Sequence, residues 1–152
     1  GDEIWRFDEA NRWYWARALV DGDVVYAPSL DGRVYALSLD RGELIWRKPD
    51  NPDGGIIGSP VIFNDFLVVA SDGGSLWTYS KADGGNERRC ELGHRLRTNL
   101  VAVEDQMYVG AWDHTIRALT VNSFGVLDTE WSYKTDTDEP WKENPASGVS
   151  SC

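Results

Sequence analysis

The chain has 152 residues, of which 41% are hydrophobic and 26% are charged, and its formal net charge is −10. This composition is that of a folded domain rather than a disordered chain, and the negative charge argues against a nucleic-acid interface and against electrostatic binding to anionic lipid. No apolar stretch reaches the roughly 18 residues of a membrane-spanning helix, and the first residues lack the basic and apolar regions of a signal peptide.

The N-terminal residues GDEIWRF, at positions 1–7, have the pattern of a short strand that carries Trp5 near its end. Residues 8–50 then show an apolar strand near 17–20, two alternating strands around an Asp-Gly turn, and a short strand that ends at Trp46. The Asp, Asn and Gly residues between them suit tight hairpins. We expect four antiparallel strands here, labelled A to D in chain order.

Two further copies of this unit follow along the chain. The segment DVVYAPSLDGRVYAL at 23–37 aligns without a gap with DFLVVASDGGSLWTY at 65–79 and with DQMYVGAWDHTIRAL at 105–119, at offsets of 42 and 40 residues. Four strands that recur about every 42 residues are typical of β-propeller blades. The prediction is an all-β, partial β-propeller of four-stranded antiparallel blades.

The predicted domain boundaries follow the repeat. Three complete blades occupy residues 8–50, 51–92 and 93–136, the last strand of a preceding blade occupies 1–7, and residues 137–152 form a linker into a further blade. Three blades leave sheet faces open at both ends, and open apolar faces need a cover. The expected partners are therefore the remaining blades of a longer polypeptide, or a protein partner or further copies.

The stretch ALSLDRGELIW, at 36–46, resembles the tryptophan-docking motif of the PQQ-like, or quinoprotein-type, β-propeller repeat. The resemblance implies that each indole packs between blades against the glycine peptide of a neighbour. It also implies a location outside the cytoplasm, in the periplasm or at the cell surface. The residues expected to make this structural docking are Ala36, Gly42, Trp46, Trp5, Ala118 and Trp131.

The family includes quinoprotein dehydrogenases, which bind PQQ and a metal, and scaffold lipoproteins similar to BamB. The sequence has no pair of adjacent cysteines and no Glu, Asn and Asp set of the dehydrogenase kind, so we predict no catalytic residue, no cofactor and no metal site. Cys90 and Cys152 fit neither a metal-ligand spacing nor a disulfide framework and are expected to be unpaired thiols.

The favoured function is therefore a non-catalytic binding or scaffold segment in the cell envelope. Loops between strands D and A and between B and C share one face of the blades, and binding residues are expected there. Aromatic and Arg side chains, which are common in interaction hot spots, mark this face: Trp13, Tyr14, Trp15, His94, Arg95, Arg97, Trp112 and His114.

Alternatives remain open at this stage. Trp13 and Trp15 could instead cover a neighbouring blade, and His114 could be a solvated turn residue. The chain could also be a fragment of a PQQ-dependent dehydrogenase whose cofactor site lies in other blades, or a propeller domain that senses carbohydrate or peptide.

Overall fold

A computed structural model describes residues 1–135, and over these residues the protein is all-β. The described strands form three four-stranded antiparallel sheets with the same strand order as the chain. Sheet one contains β1 (Leu19–Asp21), β2 (Val24–Pro28), β3 (Val34–Ser38) and β4 (Leu44–Lys48); sheet two contains β5 (Val61–Phe63), β6 (Phe66–Ala70), β7 (Ser75–Ser80) and β8 (Arg88–Glu91); sheet three contains β9 (Val101–Val103), β10 (Gln106–Gly110), β11 (Thr115–Val121) and β12 (Leu127–Lys134). The predicted all-β class with four-stranded antiparallel blades is confirmed.

The turns between strands A and B repeat the same backbone geometry in all three sheets. Gly22, Asn64 and Glu104 stand at equivalent positions and have φ angles of 55°, 55° and 54°. Left-handed backbone is easy for glycine, tolerated by asparagine and costly for most other residues. The repeat is therefore present in the backbone conformation as well as in the sequence. In the third sheet Glu104 adopts this conformation, although glutamate is less suited to it than glycine or asparagine.

The core lies between sheets rather than within one sheet. One cluster joins sheets one and two through side chains such as Tyr26, Val34 and Tyr79, and another joins sheets two and three through side chains such as Leu76 and Leu119. Because successive strand residues point to opposite faces, one set of side chains from each central strand faces each neighbouring sheet. The three sheets are thus stacked side by side in chain order.

The N-terminal segment differs from the pattern expected for a blade strand. Residues 1–18 contain no strand, and among the described residues the predicted strand at 1–7 has no adjacent strand to pair with. Its side chains still pack on sheet one, where Trp5, Phe7 and Ala10 lie against a small buried cluster. Its assignment to a preceding blade stays a prediction, and the predicted linker at 137–152 lies outside the described residues.

Cys90 corrects one expectation from the sequence. Its sulfur belongs to a disulfide and not to an unpaired thiol. The only other cysteine of the sequence, Cys152, lies outside the described residues. A spacing of 62 residues between the two cysteines of the sequence does not predict whether Cys90 is bonded. Within residues 1–135 there is also no helix that is long and apolar enough to cross a membrane.

Candidate functional site

Two tryptophan side chains, Trp46 and Trp5, pack on the glycine turn of a sheet. Trp46 on β4 lies against the backbone of Gly84, where a methyl group added to the glycine would come within 2.9 Å of the indole. Its Nε1 donates a hydrogen bond to the Lys81 carbonyl at 3.3 Å. Trp5 makes the equivalent pair of contacts one sheet earlier, against Gly42 and with a 2.9 Å hydrogen bond to the Leu39 carbonyl.

The junction between sheets two and three uses different side chains for the same purpose. Cys90 replaces the tryptophan, and Phe66 lies against Gly125 instead, 2.7 Å from the position that a methyl group there would take. Thr78 donates a buried hydrogen bond of 2.6 Å to the Gly125 carbonyl. The glycine turn is therefore covered at all three sheets, by Trp5, Trp46 and Phe66.

The positions of Ala36 and Ala118 explain why the tryptophan-docking motif has a small residue before its tryptophan. Each is the cross-strand partner of a tryptophan, Ala36 of Trp46 and Ala118 of Trp131, and a β-bulge follows directly in both sheets. A small residue opposite the indole leaves room for it on the sheet face, and the bulge turns the tryptophan toward the next sheet. Trp131 is 42% exposed, whereas Trp46 is 8% exposed.

The loops between strands D and A lie beside the B–C turns in every sheet, and one backbone hydrogen bond ties each pair. The amide of Leu30, Asp72 or Trp112 donates to a loop carbonyl, that of Trp13, Gly55 or Arg95 respectively, at 2.8 to 3.1 Å. These donors and acceptors recur at the offsets of the sequence repeat. The predicted binding-face residues Trp13 and Arg95 are thus structurally equivalent, and both lie on one loop face.

The residue after each of these carbonyl positions packs against a sheet, completely in two cases and partly in the third. Ile56 and Leu96 are fully buried in the cores between sheets, and Tyr14 at the same position stacks edge-on against Tyr35 with ring centroids 6.1 Å apart. Burial raises the pKa of the Tyr14 phenol to about 12, with Asp31 adding to the effect. Tyr14 therefore contacts sheet one through Tyr35 while 40% of it remains exposed, and its role on the binding face stays a prediction.

Three residues of the loop face form a stack across sheets two and three. Arg97 donates two hydrogen bonds to Asp72, from Nε at 2.7 Å and from Nη2 at 3.0 Å. The Arg97 guanidinium also lies 4.8 Å from the ring centroid of Trp112, which is 61% exposed. Arg95 approaches the same carboxylate at 3.8 Å. We call Asp72, Arg97 and Trp112 the Arg97 stack.

Within the Arg97 stack, the guanidinium of Arg97 favours the ionised form of the Asp72 carboxylate. Hydrogen bonds from Arg97 hold the pKa of Asp72 below its ordinary value against the opposing effect of partial burial. A two-point guanidinium–carboxylate pair fixes orientation as well as charge, and a guanidinium over an indole adds a cation–π contact. The indole of Trp112 is consequently held in place while most of its surface remains in solvent.

Asp113 organises the neighbouring turn. It is one-seventh exposed, accepts hydrogen bonds from Arg117 and Thr115, and lies 4.0 Å from Nε2 of His94. Burial acts to raise the pKa of Asp113, but the hydrogen bonds from Arg117 and Thr115 outweigh it and lower the pKa well below the usual range. His114 follows in left-handed backbone with φ 65°, where sheets one and two have glycine.

Trp13 and Trp15 form a separate part of the face, over sheet one, and are 77% and 69% exposed. A cavity of about 440 Å³ adjoins Trp13, and a second of about 450 Å³ shares Asn11, Arg12 and Leu30 with it. The predicted face residues thus fall into two groups: one around Trp13 and one around the Arg97 stack.

The described residues do not fit a PQQ and metal site. Within residues 1–135 no three His, Cys, Asp or Glu side chains lie close enough together to hold a metal ion. The two carboxylates of the loop face that were described above, Asp72 and Asp113, already accept hydrogen bonds from arginines. We therefore derive no cofactor chemistry from this chain.

Sequence reasoning found the exposed members of this face but missed the carboxylates that hold them. Asp72 and Asp113 were treated as turn residues, and neither was paired with an arginine. A comparison of the three B–C turns would have shown that position 72 carries an acid where sheets one and three carry Leu30 and Trp112. That departure from the repeat was the available signal.

Comparison with known proteins adds to this geometry. The model of the family described as outer membrane protein assembly factor BamB matches residues 1–87 and 32–147. BamB of Escherichia coli is 29% identical over 103 residues, which are 67% of this chain and 26% of that protein. The chain thus spans about a quarter of the length of the curated relatives it matches.

Two solved structures share the arrangement of sheets. BamB from Moraxella catarrhalis has a TM-score of 0.65 and 22% identity over 86% of this chain and 38% of its own. The quinohemoprotein alcohol dehydrogenase ADHIIG from Pseudomonas putida HK5 has a TM-score of 0.70 and 16% identity over 86% of this chain and 22% of its own. At these identities the likeness concerns the fold alone, and the fold is that of part of a β-propeller.

Proposed function

We propose that the chain, which belongs to the family of the outer membrane protein assembly factor BamB, is a non-catalytic interaction scaffold. The family match confirms the PQQ-like propeller resemblance drawn from residues 36–46. In this proposal the stacked sheets form a rigid support, and the loop face binds a protein partner in the assembly of outer membrane proteins. The name of these relatives, outer membrane protein assembly factor, supplies that context.

The Arg97 stack is the observation that carries the proposal. Tryptophan and arginine dominate the energetics of protein interfaces, above all where neighbouring groups hold them in place. Trp112 is exposed and oriented, and Arg97 is fixed by two hydrogen bonds to Asp72. Because a pre-ordered side chain loses little entropy on binding, such a group binds a partner more strongly than a mobile one would.

The same region is basic in an acidic chain. Arg95 and Arg97 flank the buried Leu96, and His94 adjoins them, whereas the chain as a whole has a formal net charge of −10. Arg95 makes one distant contact with Asp72 at 3.8 Å, so part of its charge is available to a partner. We propose a partner surface that combines an apolar group for Trp112 with acidic groups for Arg95.

An extracytoplasmic location agrees with the sulfur chemistry. Cys90 is disulfide-bonded, and protein disulfides persist mainly in oxidising compartments such as the bacterial periplasm. BamB relatives carry outer membrane assembly in their name. We propose that the loop face operates in the periplasm.

Site-directed photo-crosslinking tests the binding face. A photo-reactive amino acid in place of Arg95 should crosslink to an outer membrane assembly protein when the chain is directed to the periplasm of Escherichia coli. The matched control replaces Phe124, which is 72% exposed in the C–D turn at the opposite ends of the strands. Position 124 should give no such product.

A second variant makes the result specific to the Arg97 stack. Trp112→Ala should reduce the crosslink from position 95 by about tenfold or more, since truncation of an interface hot spot commonly costs over 1 kcal/mol. Phe124→Ala should leave it unchanged. Equal crosslinking from positions 95 and 124, or a product that Trp112→Ala does not weaken, would contradict the proposed face.

A direct assay tests whether this chain itself binds PQQ. The protein is mixed with PQQ and calcium, and the absorbance spectrum of the quinone is recorded. We expect no spectral change and no PQQ that co-elutes with the protein on gel filtration. A shifted spectrum with co-elution would overturn the non-catalytic assignment.

A further inference from the structure

A groove of about 450 Å³ lies on the loop face between sheets one and two. Its walls are Asn11 and Arg12 of the loop before β1, Leu30, Asp31 and Arg33 of the turn between β2 and β3, and residues 52–55 of the loop between β4 and β5. The groove thus lies at the junction of two complete sheets. Its volume falls in the range of ligand sites in proteins, about 300–1,000 Å³. We call it the Arg12 groove.

Hydrogen bonds to Ser29, which is fully buried, fix the walls of the Arg12 groove. The Ser29 hydroxyl donates to the Arg12 carbonyl at 3.3 Å, and the Ser29 carbonyl accepts the Ile56 amide at 3.0 Å. Gly32 packs so closely on Pro52 that a methyl group added to the glycine would collide with the proline ring. The walls are therefore in place before any ligand binds, which lowers the entropy lost on binding.

The carboxylates of the groove are already held by donors of the chain. Asp31 accepts hydrogen bonds from the Tyr35 hydroxyl at 2.7 Å and from the Arg33 amide at 3.0 Å. Asp53 accepts one from Nη2 of Arg89 at 3.1 Å. Burial acts to raise the pKa of Asp31, but the hydrogen bonds outweigh it and lower the pKa. Within the described residues, neither acid forms an ion pair with an arginine guanidinium of the groove.

The two arginines of the groove retain positive charge that a ligand can use. Among residues 1–135, the exposed Arg12 guanidinium has no hydrogen-bond or ion-pair partner. The Arg33 guanidinium donates one hydrogen bond, from Nη2 to the Asp50 carbonyl at 3.0 Å. This neutral acceptor orients the guanidinium without cancelling its charge. In a chain with a formal net charge of −10, the two groups form a local site that attracts an anion.

We propose that the Arg12 groove binds an aspartate or glutamate side chain in an extended segment of the protein partner. Guanidinium groups bind carboxylates through short, charge-assisted hydrogen bonds. A doubly charged phosphate is disfavoured, because the carboxylates of Asp31 and Asp53 lie in the same walls and repel it. The inference rests on the proposed function for the kind of partner, a protein, but it uses a site separate from the Arg97 stack.

Peptide titration of the full 152-residue chain, followed by two-dimensional amide NMR, tests this inference. The probe is the pentapeptide SELES with blocked termini, and its control, SQLQS, replaces both glutamates by glutamine. SELES should give saturable shifts of the Gly54 and Gly55 amides, and SQLQS should bind about tenfold more weakly or less, since it lacks the carboxylates. Equal affinities for the two peptides, or no saturable shift with SELES, would overturn the proposal.

Charge reversal at Arg12 identifies the groove as the binding site. Arg12→Glu should weaken SELES binding by about tenfold or more, because it places a like charge opposite the carboxylate. The matched control is Arg47→Glu, which makes the same change in net charge at an exposed position of β4 outside the groove and should leave binding unchanged. Both variants should keep the native circular dichroism spectrum. Binding that survives Arg12→Glu, or that Arg47→Glu weakens equally, would contradict the assignment.

The crosslink from position 95 separates this inference from the proposed function. A failed SELES titration with the crosslink retained would overturn the Arg12 groove alone. A lost crosslink with a successful titration would overturn the binding role of the Arg97 stack and leave the groove as a site for acidic peptides.

Discussion

Gly84→Ala is the sharpest test of how the sheets are held together. Gly84 has φ +69°, and a methyl group on it would lie 2.9 Å from Cδ2 and 3.0 Å from Cε3 of Trp46. Those distances are shorter than any normal contact, so the indole must move. Trp46 is 8% exposed and is closed in by Tyr26 and Tyr79 at ring centroid distances of 5.8 and 6.2 Å, which leaves it little freedom.

Two costs add at Gly84. Left-handed backbone costs an L-residue about 1–2 kcal/mol, and overpacking of a filled core costs about 1–3 kcal/mol more. We therefore expect Gly84→Ala to lower the free energy of unfolding by about 2–5 kcal/mol. Gly22→Ala is the matched control, since Gly22 has φ +55° and nothing lies within 4 Å of its added methyl group; it should cost only about 1–2 kcal/mol.

The assay is equilibrium unfolding in guanidinium chloride, followed by tryptophan fluorescence and by circular dichroism, with coincidence of the two curves as the check on two-state behaviour. A double-mutant cycle isolates the contact. In a Trp46→Ala background, Gly84→Ala should cost no more than Gly22→Ala, because the indole is absent. Equal costs for Gly84→Ala and Gly22→Ala in the native background would refute the idea that indole packing on this glycine joins the sheets.

Three further outcomes follow from single residues. Glu104→Gly should raise the free energy of unfolding by up to about 1 kcal/mol, since Glu104 has φ 54° at the position that Gly22 occupies in sheet one; a chemical denaturation curve shifted to lower denaturant would contradict this. Burial acts to raise the pKa of Asp113, but hydrogen bonds from Arg117 hold it below the unfolded value in the folded protein. The carboxylate therefore stabilises the fold above about pH 4 and loses that effect as pH falls through its folded pKa. In thermal unfolding between pH 7 and pH 2, the melting temperature of Asp113→Asn should fall less with acid than that of the native protein. Cys90→Ser removes a disulfide and should lower the free energy of unfolding by about 2–4 kcal/mol. A reducing agent should destabilise the native protein but have little effect on the variant. An equal change in the unfolding free energy of both proteins on reduction would be inconsistent with this bond.

The architecture was predictable from the sequence because the repeat is carried by turns. Asp23, Asp65 and Asp105 open each aligned segment, and the strands fall between the same turn positions in all three sheets. Local chemistry and long-range packing agree here, since a turn of fixed length sets the register of the hairpin and with it the face that each side chain joins. The repeat thus predicted the strands of the three sheets and the packing of Trp46 and Trp5 on glycine turns.

Ion pairs between side chains of different sheets could not be predicted from the sequence. The link between Arg97 and Asp72 joins residues of two different sheets, and no periodicity within one sheet predicts a contact across the gap. The loop at 13–15 carries three aromatic residues in a row, and composition alone does not say that Tyr14 also contacts Tyr35. The disulfide of Cys90 follows from neither the repeat nor the cysteine spacing.

In the D–A loop of sheet three, core packing and the proposed binding face share three consecutive residues. Leu96 is fully buried in the core between sheets two and three, while Arg95 and Arg97 on either side project from it. The buried residue anchors the loop, and the Arg95 carbonyl accepts the hydrogen bond of Trp112. Substitutions at 95 or 97 should therefore change binding with little effect on folding, but a cavity at Leu96 would loosen the anchor of both arginines and of Trp112 together. Different residues thus serve core packing and the proposed binding face, and Leu96 is the side chain through which a change in packing would affect that face.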